Sequence, residues 1–295
     1  MKKRIDKKDE IRKNEDKKNR KFTLLKIVLL IIILGFSLLY YMRFIETNRL
    51  SVKEVKIESI KIPESLSGLK VAHISDLYYR STIDKNYLKK LTKEINRLKP
   101  DVLVFTGDLL SDEIEYSKED YKDLIYYFKK MDVNNKYYVK GDNDYNNNDI
   151  SNILESSEFV SLNNKEDYIY GSDNLKIGIH GLGSFIRDDF KLNDAFVTND
   201  ETLFNIVLLH EPDNILELKD RNVDLVLAGH SLNNRINLPL IKDLFNVNGA
   251  IDYYDSYYNV NQTHLYVNAG LGTNENRLRL FTPPTINFYR IVRKH

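Results

Sequence analysis

From Phe22 to Met42 the chain reads FTLLKIVLLIIILGFSLLYYM, 21 residues with a single charge, Lys26. A helix of that length, at about 1.5 Å per residue, matches the ~30 Å hydrocarbon core of a bilayer. A run apolar on every face, beside a charged tail, is read as a membrane-crossing helix rather than a core helix. Lys26 lies within about one turn of the basic end and can extend its amine to the interface. Tyr40 and Tyr41 fall where an aromatic belt is expected. The small-x-small triplet Gly35-Phe36-Ser37 sits inside the apolar run, and the boundary at Tyr40–Phe44 offers no small residue. The segment therefore reads as an uncleaved anchor, not a signal peptide.

Residues 1–21 carry eleven Lys/Arg against five Asp/Glu, a net of +6, while the remainder carries a net of −5. A basic flank of this kind is expected to stay cytoplasmic, sending the rest of the chain outward. No basic cluster stands out beyond the tail, so a nucleic-acid partner is not expected. Cysteine is absent, which excludes disulfides, thiolate metal sites and a cysteine nucleophile. The implied organisation is a tail (1–21), an anchor (22–42), a connector (43–66) and one domain (67–295).

Beyond the connector, short apolar runs alternate with amphipathic stretches. Leu69–Ser75, Val102–Thr106, Lys136–Lys140, Leu175–His180, Ile206–Leu209, Val223–Ala228, Leu265–Asn268 and Ile286–Val292 read as strands. Asp84–Leu98 and Tyr121–Met131 read as helices, and Asn134-Asn135 and Asn146-Asn147-Asn148 as loops. Apolar runs without polar alternation predict strands covered on both faces, an α/β fold. Residues able to bind metal stand just past five strand ends: Asp76, Asp108, Asp142, His210 and His230. Loops at the carboxyl ends of such strands converge, so five ligands distant in sequence can meet at one place. Any one of them alone is more simply a turn former or helix cap.

At these residues the sequence resembles the calcineurin-like metallophosphoesterases, in particular their bacterial membrane-associated members. Their ordered words are Asp-x-His, Gly-Asp, Gly-Asn-His-Asp, an isolated His and Gly-His-x-His. The matching stretches are HISDLYY (73–79), FTGDLL (105–110), VKGDNDY (139–145), LLHEPD (208–213) and LAGHSLNNRINLPLI (227–241), closed by VNAGLGTNENRLRLFTPPTINF (267–288). The resemblance implies a four-layer αββα sandwich of two mixed β-sheets flanked by helices, here preceded by one N-terminal transmembrane helix. It also implies a two-metal site at the strand ends, with Asp108 shared between the ions.

The chain departs from that pattern on one side. Asp108, His210 and His230 match the second ion's ligands, and Asp142 replaces an Asn while keeping an oxygen donor. Asp76 remains from the first ion's set, but Tyr78 and Leu232 stand where two histidines would be. Leucine cannot coordinate, and tyrosine can do so only as a phenolate, against an ordinary pKa near 10. Asn143 stands in place of the assisting His and cannot shuttle a proton. One divalent ion (Mn, Fe, Zn or Mg) rather than two is expected, with Asp76 orienting water and Asn143 touching phosphate. His180 offers a replacement ligand as the lesser reading of it; His73 and His264 read as structural. Arg80 and Arg235 are candidate phosphate attractors as the lesser reading of them; solvated loop positions explain them more simply.

Two functions stay open on these residues. One is a weakened hydrolase of a phosphoester or pyrophosphate, on a phosphorylated lipid or cell-wall precursor, at the membrane. The other is an inactive relative that binds metal, a phosphorylated ligand or a protein.

Overall fold

The computed structural model describes residues 2–198, 200–238, 247–274 and 277–295, with side chains from residue 17 onward. Residues 239–241 of the LAGHSLNNRINLPLI stretch and 275–276 of the closing stretch lie outside the described residues. The chain divides into two units, Met1–Ile45 and Glu46–His295.

The first unit is a helix, α1 (Lys2–Tyr40), ending in one wider turn at Tyr41–Ile45. Its apolar stretch is long and apolar enough to cross a membrane, and none of it is buried against protein. Leu25, Ile31 and Leu34 expose more than half of their surface, which water would penalise and acyl chains would not.

The second unit holds two six-stranded mixed sheets. The first comprises β1 (Ser51–Ser59), β2 (Leu69–Ile74), β3 (Val102–Phe105), β4 (Asn135–Tyr138), β5 (Val160–Ser161) and β12 (Thr285–Arg293), ordered β1-β12-β2-β3-β4-β5. The second comprises β6 (Lys165–Tyr170), β7 (Lys176–Gly181), β8 (Asn205–Leu208), β9 (Leu225–Ala228), β10 (Tyr257–Val260) and β11 (Thr263–Val267), ordered β10-β11-β9-β8-β7-β6. Strands β2 to β5 run parallel, as do β7, β8, β9 and β11.

Period-2 side-chain alternation sorts the apolar residues into layers. Val102 and Val104 join Ile206, Leu208, Leu225 and Leu227 in a core between the sheets. Their neighbours Leu103 and Phe105 turn to the other face, under α2 (Lys85–Leu98), α3 (Lys118–Lys129) and α4 (Asp149–Ser156). Val207, Val226 and Leu265 cover the far face of the second sheet with Ile215 and Leu218. The outer layer there is thin: α5 (Leu192–Ala195) and a 3₁₀ stretch at Pro212–Leu218. Helix α2 starts where Asp84 accepts from the Tyr87 amide at 2.8 Å, and α3 at a Ser117/Asp120 capping box.

The fold departs locally from the sequence reading. The stretch read as connector supplies β1, paired in parallel to β12 over nine residues. Its charged alternation (SVKEVKIES) suits an exposed edge strand, a pattern that looks like linker composition. Asn135 opens β4 instead of a loop, and Asn148 precedes α4.

Candidate metal centre

Five strand ends bring the predicted residues together. Asp76 follows β2, Asp108 follows β3, Asp142 follows β4, His210 follows β8 and His230 follows β9. Of these, Asp108, Asp142, His210 and His230 place ligand atoms within 4.8 Å of one another. His210 Nε2 lies 3.4 Å from Asp108 Oδ2 and 3.3 Å from Asp142 Oδ1, and His230 Nδ1 lies 3.3 Å from the same Asp142 oxygen. The two imidazole nitrogens are 3.2 Å apart. Ligands about 2.1 Å from a common ion in tetrahedral array sit ~3.4 Å from each other, so this spacing fits a small divalent cation.

The distal nitrogens set which ring atom faces inward. His210 Nδ1 is 2.5 Å from the Thr106 carbonyl, and His230 Nε2 is 2.7 Å from the Asn248 carbonyl. A carbonyl only accepts, so each distal nitrogen carries a hydrogen, and in the neutral imidazole the facing nitrogen keeps its lone pair. Asp142 Oδ1 is buried with no hydrogen-bond partner, a state tolerated where a cation or proton is held.

The charges agree with that demand. Burial works to raise the Asp142 pKa, but the imidazoles of His210 and His230, each 3.3 Å from Oδ1, pull it well below the carboxylate range when they carry a proton. Burial works to lower both imidazoles, and Asp108 and Asp142 outweigh it, raising both. Raised imidazole pKa values mark a place that favours positive charge, whether carried as protons or as a cation.

Asp76 stands apart from this group. Its Oδ2 accepts from the His230 amide at 3.1 Å, and its Oδ1 is buried without a partner. Burial pushes its pKa to about 6, with Asp108 adding to the rise against the pull of His210.

Asp108 also meets the residues that stand in place of histidines. Tyr78 donates to Oδ2 at 2.5 Å, and Asn143 donates its side-chain N–H to Oδ2 at 2.6 Å and its amide to Oδ1 at 3.1 Å. Burial, then the charge of Asp108, holds the Tyr78 phenol well above its ordinary pKa, so it stays a donor and not a phenolate ligand. Leu232 is buried beside Gly270.

The remaining candidates lie elsewhere. His180 is not a replacement ligand: its nitrogens meet the Ala195 carbonyl at 2.7 Å and Asn205 Oδ1 at 3.2 Å, and its ring stacks on Phe196. His73 is buried against Tyr289 and bonds Thr106 Oγ1. His264 pairs with the Tyr257 hydroxyl. Arg80 pairs with Asp120 at 3.4 Å, whereas Arg235 lines the cavity at the centre.

Sequence reasoning passed over two braces. The Asp144 carboxylate accepts from the amides of Asp108 (2.8 Å), Leu109 (2.9 Å) and Gly141 (2.9 Å), fastening the β3 and β4 loops together. The acidic run Asp142-Asn143-Asp144 was the available signal. Asn268, after β11, donates to the His73 and Thr285 carbonyls of the first sheet, joining the two sheets beside Asp76. The loops approach so closely that a Cβ on Gly141 would sit 2.2 Å from Asp108 Oδ1.

Two packed mixed sheets with an Asp/His cluster at their converging strand ends define an αββα sandwich protein with a candidate centre for a divalent ion. A family model described as calcineurin-like phosphoesterase matches residues 69–234, more than half of the chain; the chain belongs to that family. An uncharacterized metallophosphoesterase of Bacillus subtilis, YkuE, is 28% identical over 255 residues, 85% of this chain and 88% of the relative. The UDP-2,3-diacylglucosamine pyrophosphatase LpxG of Chlamydia muridarum is 26% identical over 304 residues, 84% and 91% of the two chains. A transmembrane protein with a metallophosphoesterase domain from Danio rerio is 27% identical over 239 residues, 75% of this chain and 52% of the relative.

Proposed function

We propose that this chain is a membrane-anchored phosphoesterase working with one divalent ion, hydrolysing a phosphoester or pyrophosphate more slowly than a two-metal relative. The observation that carries this is the convergence of ligand atoms of Asp108, Asp142, His210 and His230 within 4.8 Å of one another, with His210 Nε2 3.2–3.4 Å from atoms of the other three. Those four residues would hold the ion, which supplies positive charge to polarise a phosphoryl oxygen.

The chain's own groups take the other roles. Asp76, with a pKa raised to about 6 and a free oxygen, orients the attacking water and accepts its hydrogen bond. Asn143 uses one amide hydrogen on Asp108 and has a second for a phosphoryl oxygen. Neither Tyr78 nor Asn143 shuttles a proton near neutral pH, which removes roughly 10²–10⁴-fold of the rate that a histidine would contribute. A diacylated sugar-nucleotide pyrophosphate, as named for LpxG, suggests an amphiphilic substrate such as a phosphorylated lipid or cell-wall precursor. The +6 tail (1–21) and the anchor (22–42) favour an extracytoplasmic domain.

The second reading is a binder without turnover. Three donors already engage Asp108, which occupies lone pairs that an ion would need. Purified full chain in detergent, given Mn²⁺ and a bis-aryl phosphate, separates the two. Metal-dependent turnover lost in His230→Ala supports the hydrolase. Bound metal without turnover supports the binder, and absence of bound metal sinks the hydrolase and the metal-binding form of the binder. Protease added to intact cells should remove the domain; a protected domain overturns the orientation.

A further inference from the structure

The cavity at the centre has a volume of about 290 Å³ and is walled by Tyr78, Asp142, Asn143, His230, Leu232 and Arg235 among others. That size admits a phosphoryl group together with part of what it is attached to, being near the low end of the ~300–1,000 Å³ usual for ligand sites. Arg235 is the only Lys or Arg among the described lining residues. It is half-buried, and among the described residues no carboxylate lies within 4.0 Å of its guanidinium. Its one side-chain contact is long, Nη1 to the Asn274 carbonyl at 3.4 Å.

The backbone beneath it is fixed. The Arg235 amide donates to the Leu232 carbonyl at 3.0 Å, and its carbonyl accepts from the Leu280 amide at 2.8 Å and from the Thr282 hydroxyl. Leu232, Asn233, Asn234 and Arg235 are consecutive residues with φ between 47° and 59°, a left-handed run that disfavours residues bearing a Cβ. The turn is thus an unusual one, locked in place, and it carries to the cavity wall a cation that has no counter-ion among the described residues.

Charge counting says what that cation is for. Asp108 and Asp142 with two neutral imidazoles balance one divalent ion, and Asp76 adds negative charge when ionised. An anionic phosphoryl group approaching such a centre finds no net attraction. We infer that the Arg235 guanidinium anchors the phosphoryl oxygens of an anionic phosphoester ligand, in the place of a second cation. Its planar fork offers paired donors matched to phosphate oxygens. The inference rests on the single-ion reading of Asp108, Asp142, His210 and His230, and goes beyond it in naming how the anion is held.

The test titrates inorganic phosphate into the full chain in detergent, Mn²⁺-loaded and stripped, for wild type, Arg235→Gln and Arg235→Lys. Mn²⁺ affinity is measured in the same samples. Loss of a charge-assisted pair predicts ~10–100-fold weaker phosphate binding in Arg235→Gln, with unchanged or slightly tighter Mn²⁺ binding. Arg235→Lys recovers part of the loss, since it keeps the charge but not the fork. Equal phosphate affinity in wild type and Arg235→Gln overturns the inference, as does a wild type that binds no phosphate. Arg235-dependent phosphate binding in a protein that takes up no Mn²⁺ keeps the inference and removes the single-ion reading. Should Arg235→Gln fold poorly, phenylglyoxal modification of Arg235 in wild type decides: phosphate slows it if the anion sits there, and an unchanged rate overturns the assignment. Nanodiscs containing phosphatidic acid, compared with phosphatidylcholine alone, separate the sources. Arg235-dependent binding to the former assigns a lipid phosphate, and dependence seen only with inorganic phosphate assigns a soluble one.

Discussion

Tyr78 donates its hydroxyl hydrogen to Asp108 Oδ2 at 2.5 Å, so a carboxylate positioned to serve an ion also serves a phenol. The buried phenol keeps its proton throughout the physiological range. On the single-ion reading proposed above, it and the buried Leu232 would close the side of Asp108 where the resemblance implies a second ion.

Restoring the missing side chains should reopen it. The triple variant Tyr78→His, Asn143→His, Leu232→His is expected to bind two Mn²⁺ per chain where wild type binds one, measured by elemental analysis. Hydrolysis of a bis-aryl phosphate should rise by about 10²–10⁴-fold. One equivalent of metal and an unchanged rate would count against the ligand assignment.

Removing the Asp144 carboxylate should loosen both loops at once. Asp144→Ala leaves the buried amides of Asp108, Leu109 and Gly141 without their acceptor, each such group costing about 1–3 kcal/mol. Expected outcomes are a lower melting temperature and weaker Mn²⁺ binding. A variant with wild-type melting and metal affinity would refute the bracing role.

Filling the loop contact should be worse still for the centre. In Gly141→Ala the new Cβ meets Asp108 Oδ1 at 2.2 Å and His210 Cε1 at 2.7 Å, so backbone must shift, at roughly 1–3 kcal/mol for overpacking. Mn²⁺ affinity should fall at least tenfold, an outcome read by titration calorimetry; ordinary affinity would mean the loops sit farther apart.

Acid should destabilise the second unit through His73. Burial drops its pKa from 6.5 to about 3. Below pH 6.5 the unfolded chain therefore takes up a proton that the folded one refuses, and stability falls as pH falls toward 3. At about 1.4 kcal/mol per unit, roughly 2–3 kcal/mol should go between pH 6.5 and 4.5. A His73→Asn variant should show a flatter pH dependence of melting by that amount, and parallel curves would remove His73 as the cause.

Much of this was readable in the chain because the informative segments are extreme. Strands such as VLVF and LVLA are apolar throughout, and only a position between two covered layers explains them. The ligands stand two to four residues past those strands, where the chain must turn. Edge elements were hidden for the opposite reason: β1, β6 and β10 face solvent on much of their length, and their Lys, Glu and Tyr carry no signature separating strand from linker. The metal cluster was legible, yet its exclusion of Asp76 was not, since a shared strand end says nothing of where one carboxylate points. His180 likewise follows a strand, and the stacking by Phe196 that claims its ring joins segments remote in sequence.

The imidazoles of the centre are steered by main-chain oxygens, those of Thr106 and Asn248, where acidic partners would have made them stronger donors. Imidazoles so held would discriminate little between one divalent ion and another, and supply would decide occupancy: whichever hard or borderline ion dominates the growth medium is the one expected to travel with the purified protein.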